Sequence, residues 1–529
     1  MTPLAASPYW PARDADHLLV SAAQMAAIED ELFASGLPVE ALMEKAALGL
    51  SRRILLLEPQ RPVVVLVGPG HNGGDGLVVA RELFLAGRNV CIWCPFDRLK
   101  PLTASHFQHA RWLGVPVLDA PPDPEAGSLW VDGLFGNGQR RPPGPEMEAL
   151  LQRRHRHQPD GLVSIDVPTG LCSDTGTWLG DFCAHAQITY CLGLIRQGLV
   201  QDPALASVGL LERIDLGLPP SLLVLLAADQ PLGLGLSPQA MEADLIGAPW
   251  PLLDPAAAKY GRGRLLVVAG SRRYQGAVHL ALMGATAAGC GSLRAMLPQE
   301  VASQLWLAHP HVVVEAALPS LPDGSLCIAP RDLPGAWLDR LDALLIGPGL
   351  GCGPEPSAPW PQLQDFPGLV VIDADGLNRL ARSNAPLDWF TGRRGATWIT
   401  PHRQEFGRLF PDLVALPSLE AAAQAARRSN AVVLLKGART VVAAPDGRRW
   451  QILRANQKVA RSGLGDLLAG YGAGIGAMAV ASTSTTPDAA LLAAAALSHA
   501  RAGCQLLGTS PMDMAVALQS VADLSGNIW

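Results

Sequence analysis

The stretch Arg61–Leu85 reads R-P-V-V-V-L-V-G-P-G-H-N-G-G-D-G-L-V-V-A-R-E-L-F-L, and it decides the fold. Arg61 to Val67 leads into a short continuous apolar run, the pattern of a strand buried on both faces in a parallel sheet. Gly68 to Gly76 follow as a glycine-rich loop, and Leu77 to Leu85 is predicted to be a helix. Strand, glycine loop and helix in that order place ligand phosphates at the carboxyl end of a sheet. The loop has neither the G-x-G-x-x-G spacing nor a G-K-[ST] ending. It carries Asn72 and Asp75 instead, two oxygen-bearing side chains among glycines.

The same unit repeats on both sides of this stretch. Upstream, residues 21 to 50 are predicted as helix with Ser21 as its cap. Downstream, strands are expected at Val90–Trp93, at Ser128–Val131 before D-G-L-F-G-N-G (Asp132 to Gly138), and at Gly161–Ile165 before D-V-P-T-G (Asp166 to Gly170). Strand ends of a parallel sheet share one edge, so Asn72, Asp75, Asp132 and Asp166 converge. Such a set would hold a hard cation, supply a proton-transfer base, or both, whereas any one of these acids alone reads as a turn or helix cap. A closing strand is expected within Val208–Leu218, then a Pro-, Gly- and Leu-rich linker over Ala227–Pro255, with a boundary near 225.

Gly263–Gly270, G-R-L-L-V-V-A-G, starts a second set. Strands are expected at Leu265–Ala269, Ala343–Ile346, Leu369–Ile372, Thr397–Ile399 and Val432–Leu435, with a small-residue helix over Val278–Gly289. The later strands end in G-P-G-L-G, D-A-D-G-L, T-P-H-R-Q-E-F and K-G-A-R-T. The last unit is A-R-S-G-L-G-D-L-L-A-G, Ala460 to Gly470. Its glycines suit an anion hole at a helix N-terminus, with Asp466 at the mouth to handle a proton. Lys436, beside Gly437 and Thr440, is a phosphate contact in this reading, and His402 faces the same pocket.

The 529 residues allow two large α/β domains, and 49% hydrophobic against 17% charged residues implies large buried cores. A net charge of −6 gives no case for nucleic acid. The N-terminus lacks the pattern of a signal peptide, and apolar runs such as Leu491–Leu497 are far shorter than a membrane span, so a cytoplasmic protein off the membrane is expected. A homo-oligomer is the expected assembly. Nine cysteines without metal-ligand spacing read as reduced thiols, and Cys91-Ile-Trp-Cys94 lies in a strand rather than at the helix N-terminus that a redox pair needs. The basic run Arg153 to His157 reads as a solvated helix C-terminus.

The first half resembles the NAD(P)H-hydrate epimerase domain, on G-P-G-H-N-G-G-D-G-L-V-V-A-R, V-D-G-L-F-G-N-G and S-I-D-V-P-T-G-L-C-S-D-T-G. The resemblance implies that Asn72, Asp132 and Thr169 hold a potassium ion. It implies that His71, Asn72, Gly73, Gly74, Asp75, Gly136, Asn137 and Gly138 bind the hydrated nucleotide, and that Asp166 binds it and transfers the proton. The chain departs from the family pattern at Lys45, Ala47, His71, Thr169 and Arg196, where Thr169 keeps an oxygen and Arg196 stands for a usual lysine.

The second half resembles the ADP- or ATP-dependent NAD(P)H-hydrate dehydratase of the ribokinase-like superfamily. The matching segments are V-V-A-G-S-x-x-Y-x-G-A, G-P-G-L-G, D-A-D-G-L-N, T-P-H-x-x-E-F, L-K-G-A-x-T and G-L-G-D-L-L-A-G. The resemblance implies that Ala277, Gly349, His402 and Asp466 contact the hydrate. It implies that Lys436, Gly437, Ala438, Arg439, Thr440 and Gly465 bind the adenine nucleotide, and that Asp466 is the acid/base. Departures fall at Ala258 to Tyr260, Pro310-His311 and Gln404.

The two resemblances imply an α/β protein of two domains, a Rossmann-like α/β/α sandwich over 1–225 and a ribokinase-like α/β/α domain over 226–529. Its substrates would be NADHX and NADPHX, the hydrates of NADH and NADPH. The first domain would interconvert their R and S epimers with K+, and the second would dehydrate the S epimer with Mg2+ and ADP. Two rivals stay open: the second half as a small-molecule kinase, and the first as a catalytically silent binding module.

Overall fold

The computed structural model describes residues 15–226, 232–236, 257–353, 360–454, 460–483, 487–505 and 510–524. The chain divides into two compact units, one within Ala12–Gly233 and one within Leu234–Trp529. Most of the stretch expected as linker, and the N-terminal residues read for a signal peptide, lie outside the described residues.

The first unit is built on a seven-stranded, wholly parallel sheet. Its strands in spatial order are Val117–Leu118, Val90–Trp93, Val63–Val67, Leu129–Gly133, Leu162–Ile165, Ile188–Leu192 and Leu210–Ile214. Strand order runs outward in both directions from the pair Val63–Val67 and Leu129–Gly133. That pair is therefore the switch point, where the crevice at the strand ends opens. Asn72 follows one of these strands, and Asp132 lies near the end of the other.

Three local expectations change. The helix expected at Leu77 begins at His71, with Gly70 as N-cap, so Asn72 and Asp75 stand in its first turns. Glycine disfavours a helix by about 1 kcal/mol per residue, but here it lets the helix lie against the sheet. A Cβ on Gly76 would come within 3.3 Å of Val65. Residues 21 to 50 form two helices, Ala22–Ala34 and Val39–Leu56, because Gly36 takes φ +98° and Pro38 restarts the chain. Ser21 caps the first through a capping box with Gln24. Arg154, expected in solvent, is buried in the helix Pro145–His157. Its guanidinium stacks on Trp130 at 4.7 Å and donates to the carbonyls of Pro124, Ala126, Ser128 and Gly161.

The second unit repeats the logic. Its strands in order are Val313–Leu318, Ser292–Pro298, Arg264–Val268, Ala343–Ile346, Leu369–Ile372, Thr397–Ile399 and Val432–Leu435, all parallel. Val441–Ala443 and Arg449–Ile452 continue antiparallel, followed by Gly233–Leu236. The switch point lies between Arg264–Val268 and Ala343–Ile346.

Two helices cover this sheet beside the switch point, Gln275–Ala287 and Leu464–Thr483. They meet along small residues: a side chain at Gly284 would strike the Leu467 carbonyl, and one at Gly470 the Ala281 carbonyl. Among the described residues Leu464–Ser482 is long and apolar enough to cross a bilayer, which the short apolar runs did not foretell. Most of it is buried inside the unit. Cys91 and Cys94 are free, and burial pushes both thiols up, which disfavours thiolates.

Two candidate active sites

In the first unit Asp166 follows the strand Leu162–Ile165 and takes the left-handed conformation, φ +65°. Both its oxygens are held. Arg196 donates to Oδ1 at 2.6 Å and the Leu192 amide at 3.4 Å, while the Asn137 amide donates to Oδ2 at 2.8 Å. Arg196 is itself buried, and its other contacts are the carbonyls of Leu192 and Leu194 and the Cys191 sulfur. Burial disfavours its charge most strongly of any single influence, but Asp166, Cys191, Glu29 and Asp174 together hold the guanidinium above its ordinary pKa.

Gly136 brings the predicted residues together. A Cβ there would lie 3.0 Å from Asn72 Oδ1 and 3.0 Å from Asp166 Oδ2, so the missing side chain is the gap between them. Asn137 joins through its backbone, and Ser173 donates back to its carbonyl at 3.2 Å. Gly73 and Gly74 are buried, whereas His71 and Gly138 are exposed at the rim.

Asp75 is buried on the same side. Burial, with Asp166 and Glu29 nearby, raises its pKa well above the ordinary value. Glu29, in the helix Ala22–Ala34, is pushed up to about 7 by burial, against the pull of Arg196. The sequence reading missed Glu29 because nothing in a surface-like helix shows which distant carboxylate it will face.

Asp132 is fully buried behind this cluster. It accepts from Thr169 Oγ1 at 2.7 Å, the Thr169 amide at 2.9 Å, Ser164 Oγ at 3.1 Å and the Leu134 amide at 3.2 Å. Burial raises its pKa, and the hydrogen bonds from Thr169, Leu134 and Ser164 oppose this only in part. Asn72 Nδ2 is buried without a hydrogen-bond partner. One carboxylate, one hydroxyl and one amide make an all-oxygen set of low charge, which suits a hard monovalent cation better than a transition metal. Among the described residues no cluster of three His, Cys, Asp or Glu could hold a metal ion.

In the second unit the site lies where Val432–Leu435 ends. Lys436 donates to Asp373 Oδ1 at 2.6 Å, and Thr400 Oγ1 donates to the same oxygen at 2.8 Å. Asp373 is fully buried, and its Oδ2 has no partner. The Lys436 ammonium also lies 3.2 Å from where a Cβ on Gly465 would stand, at the head of the Leu464–Thr483 helix. Burial opposes its charge, but Asp373, Glu405 and Asp466 together keep its pKa above the ordinary value. Asp466 stands in the first turn of the same helix and is pushed up to about 7 by burial and by Asp373. Glu405 is likewise raised to about 7, chiefly by burial.

His402 is the N-cap of the helix Arg403–Leu409. Its Nδ1 accepts from the amides of Gln404 and Glu405, and its Nε2 lies 3.0 Å from Glu405 Oε1. Gly349, at φ +62°, has no room for a side chain: its Cβ would come within 2.5 Å of Ala277. The structure thus brings Ala277 and Gly349 together at the switch point. A cleft of about 200 Å³ is lined by Lys436, Gly437, Ala438, Thr440 and Gly465, as expected, and also by Arg454, Arg461 and His499. Arg439, expected among them, is buried instead. Asp373 and Glu405 lie in the quoted D-A-D-G-L and T-P-H-R-Q-E-F segments, so a rule that strand-end acids face the pocket would have found them.

The comparisons with known proteins follow both halves. Residues 39–198 match the family described as YjeF-related protein N-terminus, and residues 265–523 match the family described as NAD(P)H-hydrate dehydratase. A bifunctional NAD(P)H-hydrate repair enzyme of Gloeobacter violaceus is 43% identical over 85% of this chain and 87% of its own. The chain belongs to the family of bifunctional NAD(P)H-hydrate repair enzymes. A Synechocystis enzyme of the same name is 40% identical over 92% of this chain and 90% of its own. Among solved structures, an ADP/ATP-dependent NAD(P)H-hydrate dehydratase of Bacillus subtilis, co-crystallised with ATP and Mg2+, aligns at 24% identity. It covers 53% of this chain and 96% of its own, with a TM-score of 0.41. The repair-enzyme family accounts for both units, and a kinase with a silent N-terminal module is not favoured.

Proposed function

We propose that the chain repairs hydrated NADH and NADPH with two activities. A domain over 1–225 interconverts the R and S epimers of NAD(P)HX, and a domain over 226–529 dehydrates the S epimer with ADP, giving AMP and phosphate. The observation that carries this reading is the pairing, in one family member, of two strand-end sites that each hold a buried acid beside one cation.

The hydrate carries its hydroxyl on a ring carbon next to nitrogen. Inverting that carbon needs its C–O bond to break, with a proton given to the departing hydroxyl and the ring nitrogen's electron pair closing behind it. Water must then add on the other face and give the proton back. Asp166 fits the task, because Arg196 and the Leu192 amide occupy Oδ1 while Oδ2, which accepts from the Asn137 amide, also faces the gap at Gly136. Asn72, Asp132 and Thr169 would hold a potassium ion, which when bound supplies a fixed positive charge for the nucleotide's phosphates. Gly73 to Asp75 and Gly136 to Gly138 line the nucleotide's path, with His71 at its rim.

In the second domain the hydrate's oxygen attacks the β-phosphorus of ADP, which arrives as its Mg2+ complex, and its proton passes to Asp466. The bond to AMP breaks as the new O–P bond forms. The carbon–oxygen bond then breaks with phosphate as leaving group and the ring nitrogen's pair closing behind it. Loss of a neighbouring ring proton restores the dihydronicotinamide. Gly465 and Lys436 to Thr440 receive the nucleotide, and Ala277, Gly349 and His402 the hydrate. A cytoplasmic location fits nine free thiols, and a homo-oligomer fits the edge strand Val313–Leu318, which leaves Val313 and Val314 exposed.

The test is recovery of near-UV dihydronicotinamide absorbance from mixed-epimer NADHX, with ADP, ATP or no nucleotide, plus K+ and Mg2+. Full recovery with ADP is expected. A stall at the S fraction would overturn the epimerase assignment, and no recovery with either nucleotide would overturn the repair reading.

A further inference from the structure

In the second unit three carboxylates, Asp373, Glu405 and Asp466, surround one ammonium, Lys436. Among the described residues only Asp373 pairs with it, at 2.6 Å. Asp373 is fully buried at the end of Leu369–Ile372, and Thr400 Oγ1 fixes the same oxygen from the neighbouring strand end. The ammonium is thereby anchored from below while it reaches Gly465, at the helix head where the nucleotide's phosphates are received. Two strand ends so determine where the lysine points.

We propose that Asp373 is a positioning residue of the dehydratase: it holds the Lys436 ammonium at the Gly465 helix head and, by keeping it from pairing with Asp466, leaves Asp466 able to take the hydroxyl proton. An aspartate that paired with Lys436 would be a poor proton acceptor, because the neighbouring cation stabilises its ionised form. An aspartate that faces a second carboxylate is a stronger base. The charges around Asp466 agree with this division. Asp373, Asp375 and Glu405 push it toward the protonated form, and Lys436 pulls against them. His402 and His499 stand near Lys436, with Arg408 beyond His402. The facing helix Gln275–Ala287 carries His279, which stacks on His309 and is held low by burial.

The inference rests on the dehydratase reading, and one experiment separates the two. The pH dependence of kcat/KM for S-NADHX with MgADP is measured on the full chain and on Asp373→Asn. Asparagine removes the like charge and releases Lys436 toward Asp466, and both effects lower the pKa of Asp466. The acid limb is expected to move down by about one pH unit, with a higher KM for ADP and a lower plateau rate. Thr400→Val removes a hydrogen bond from the same oxygen without changing charge, and its limb is expected to stay in place. An active Asp373→Asn chain whose acid limb does not move overturns the inference alone. A wild-type chain inactive on S-NADHX overturns the dehydratase reading beneath it. If circular dichroism shows that Asp373→Asn does not fold, Lys436→Gln takes its place. Its acid limb is expected to move up, and a fixed limb overturns the proposal.

Discussion

The two sites hold their acids in opposite ways. Asp166 is saturated: a buried guanidinium and two backbone amides occupy it, and its backbone is turned into the left-handed region to receive them. Asp466 is starved: it sits among other carboxylates, and the Lys436 ammonium, which pulls against them, is bonded to Asp373. The first arrangement fixes a carboxylate in direction. The second raises its affinity for a proton, so that it can take the hydroxyl proton as the O–P bond forms. One fold class, with strand ends at a switch point, supports both because the difference lies in a few neighbours.

The largest break in the comparison comes from removing the acids. Asp166→Ala should slow epimerisation by about 10³-fold and leave dehydration of purified S epimer intact, and Asp466→Ala should do the reverse. Separate assays on resolved epimers decide this, and a variant that slowed both would mean the sites are not independent. Next is Arg196→Met, which leaves Asp166 buried without its partner. It should cost the first unit about 3 kcal/mol in urea unfolding and most of its epimerase activity. Gly136→Ala is milder. Its Cβ would sit 3.0 Å from both Asn72 Oδ1 and Asp166 Oδ2, and epimerisation should fall about tenfold with dehydration unchanged.

The smallest effect sharpens the contrast through pH. Asp466, raised to about 7, binds a proton in the folded chain that the unfolded chain has already released. Stability therefore falls as pH rises from the ordinary carboxylate range to about 7, while dehydration speeds up over the upper part of that window. Asp466→Asn should raise the melting temperature at pH 8 by about 2 °C and leave it unchanged at pH 4, although the enzyme is inactive at both. Equal shifts at both pH values would show that Asp466 is not the titrating group.

Most of the strands read from the sequence were legible because they are continuous apolar runs that stop at Gly, Asp or Lys, whereas Ile188–Leu192, Ser292–Pro298 and Val313–Leu318 were not read, since Thr189, Arg294 and Glu315 interrupt their apolar runs. Val63–Val67 and Leu369–Ile372 need no distant information. The glycines after Val67 read as loop because their local preference is against helix, whereas packing on Val65 makes them helical. Gly36 and Pro38 did signal the break between the first two helices, and the apolar spacing on both sides masked it. Asp132, Asp166 and Asp466 were legible as strand-end or helix-start acids. Glu29 and Arg154 were not, since each takes its character from elements far along the chain. Arg154 carries charge in a run of charges, and only the carbonyls around Trp130 bury it.

The seam between Gln275–Ala287 and Leu464–Thr483 also bears on how the enzyme is made. Every strand of the second unit, and the helix that receives this seam, leaves the ribosome before residue 464 does. Until then the sheet waits with an uncovered groove of alanine and glycine, and the growing chain has no anion hole and no Asp466. The segment that closes the groove also carries the catalytic end of the site, so the second active site is completed only when its covering helix docks. A chain cut short before Leu464 would release a sticky, inactive product.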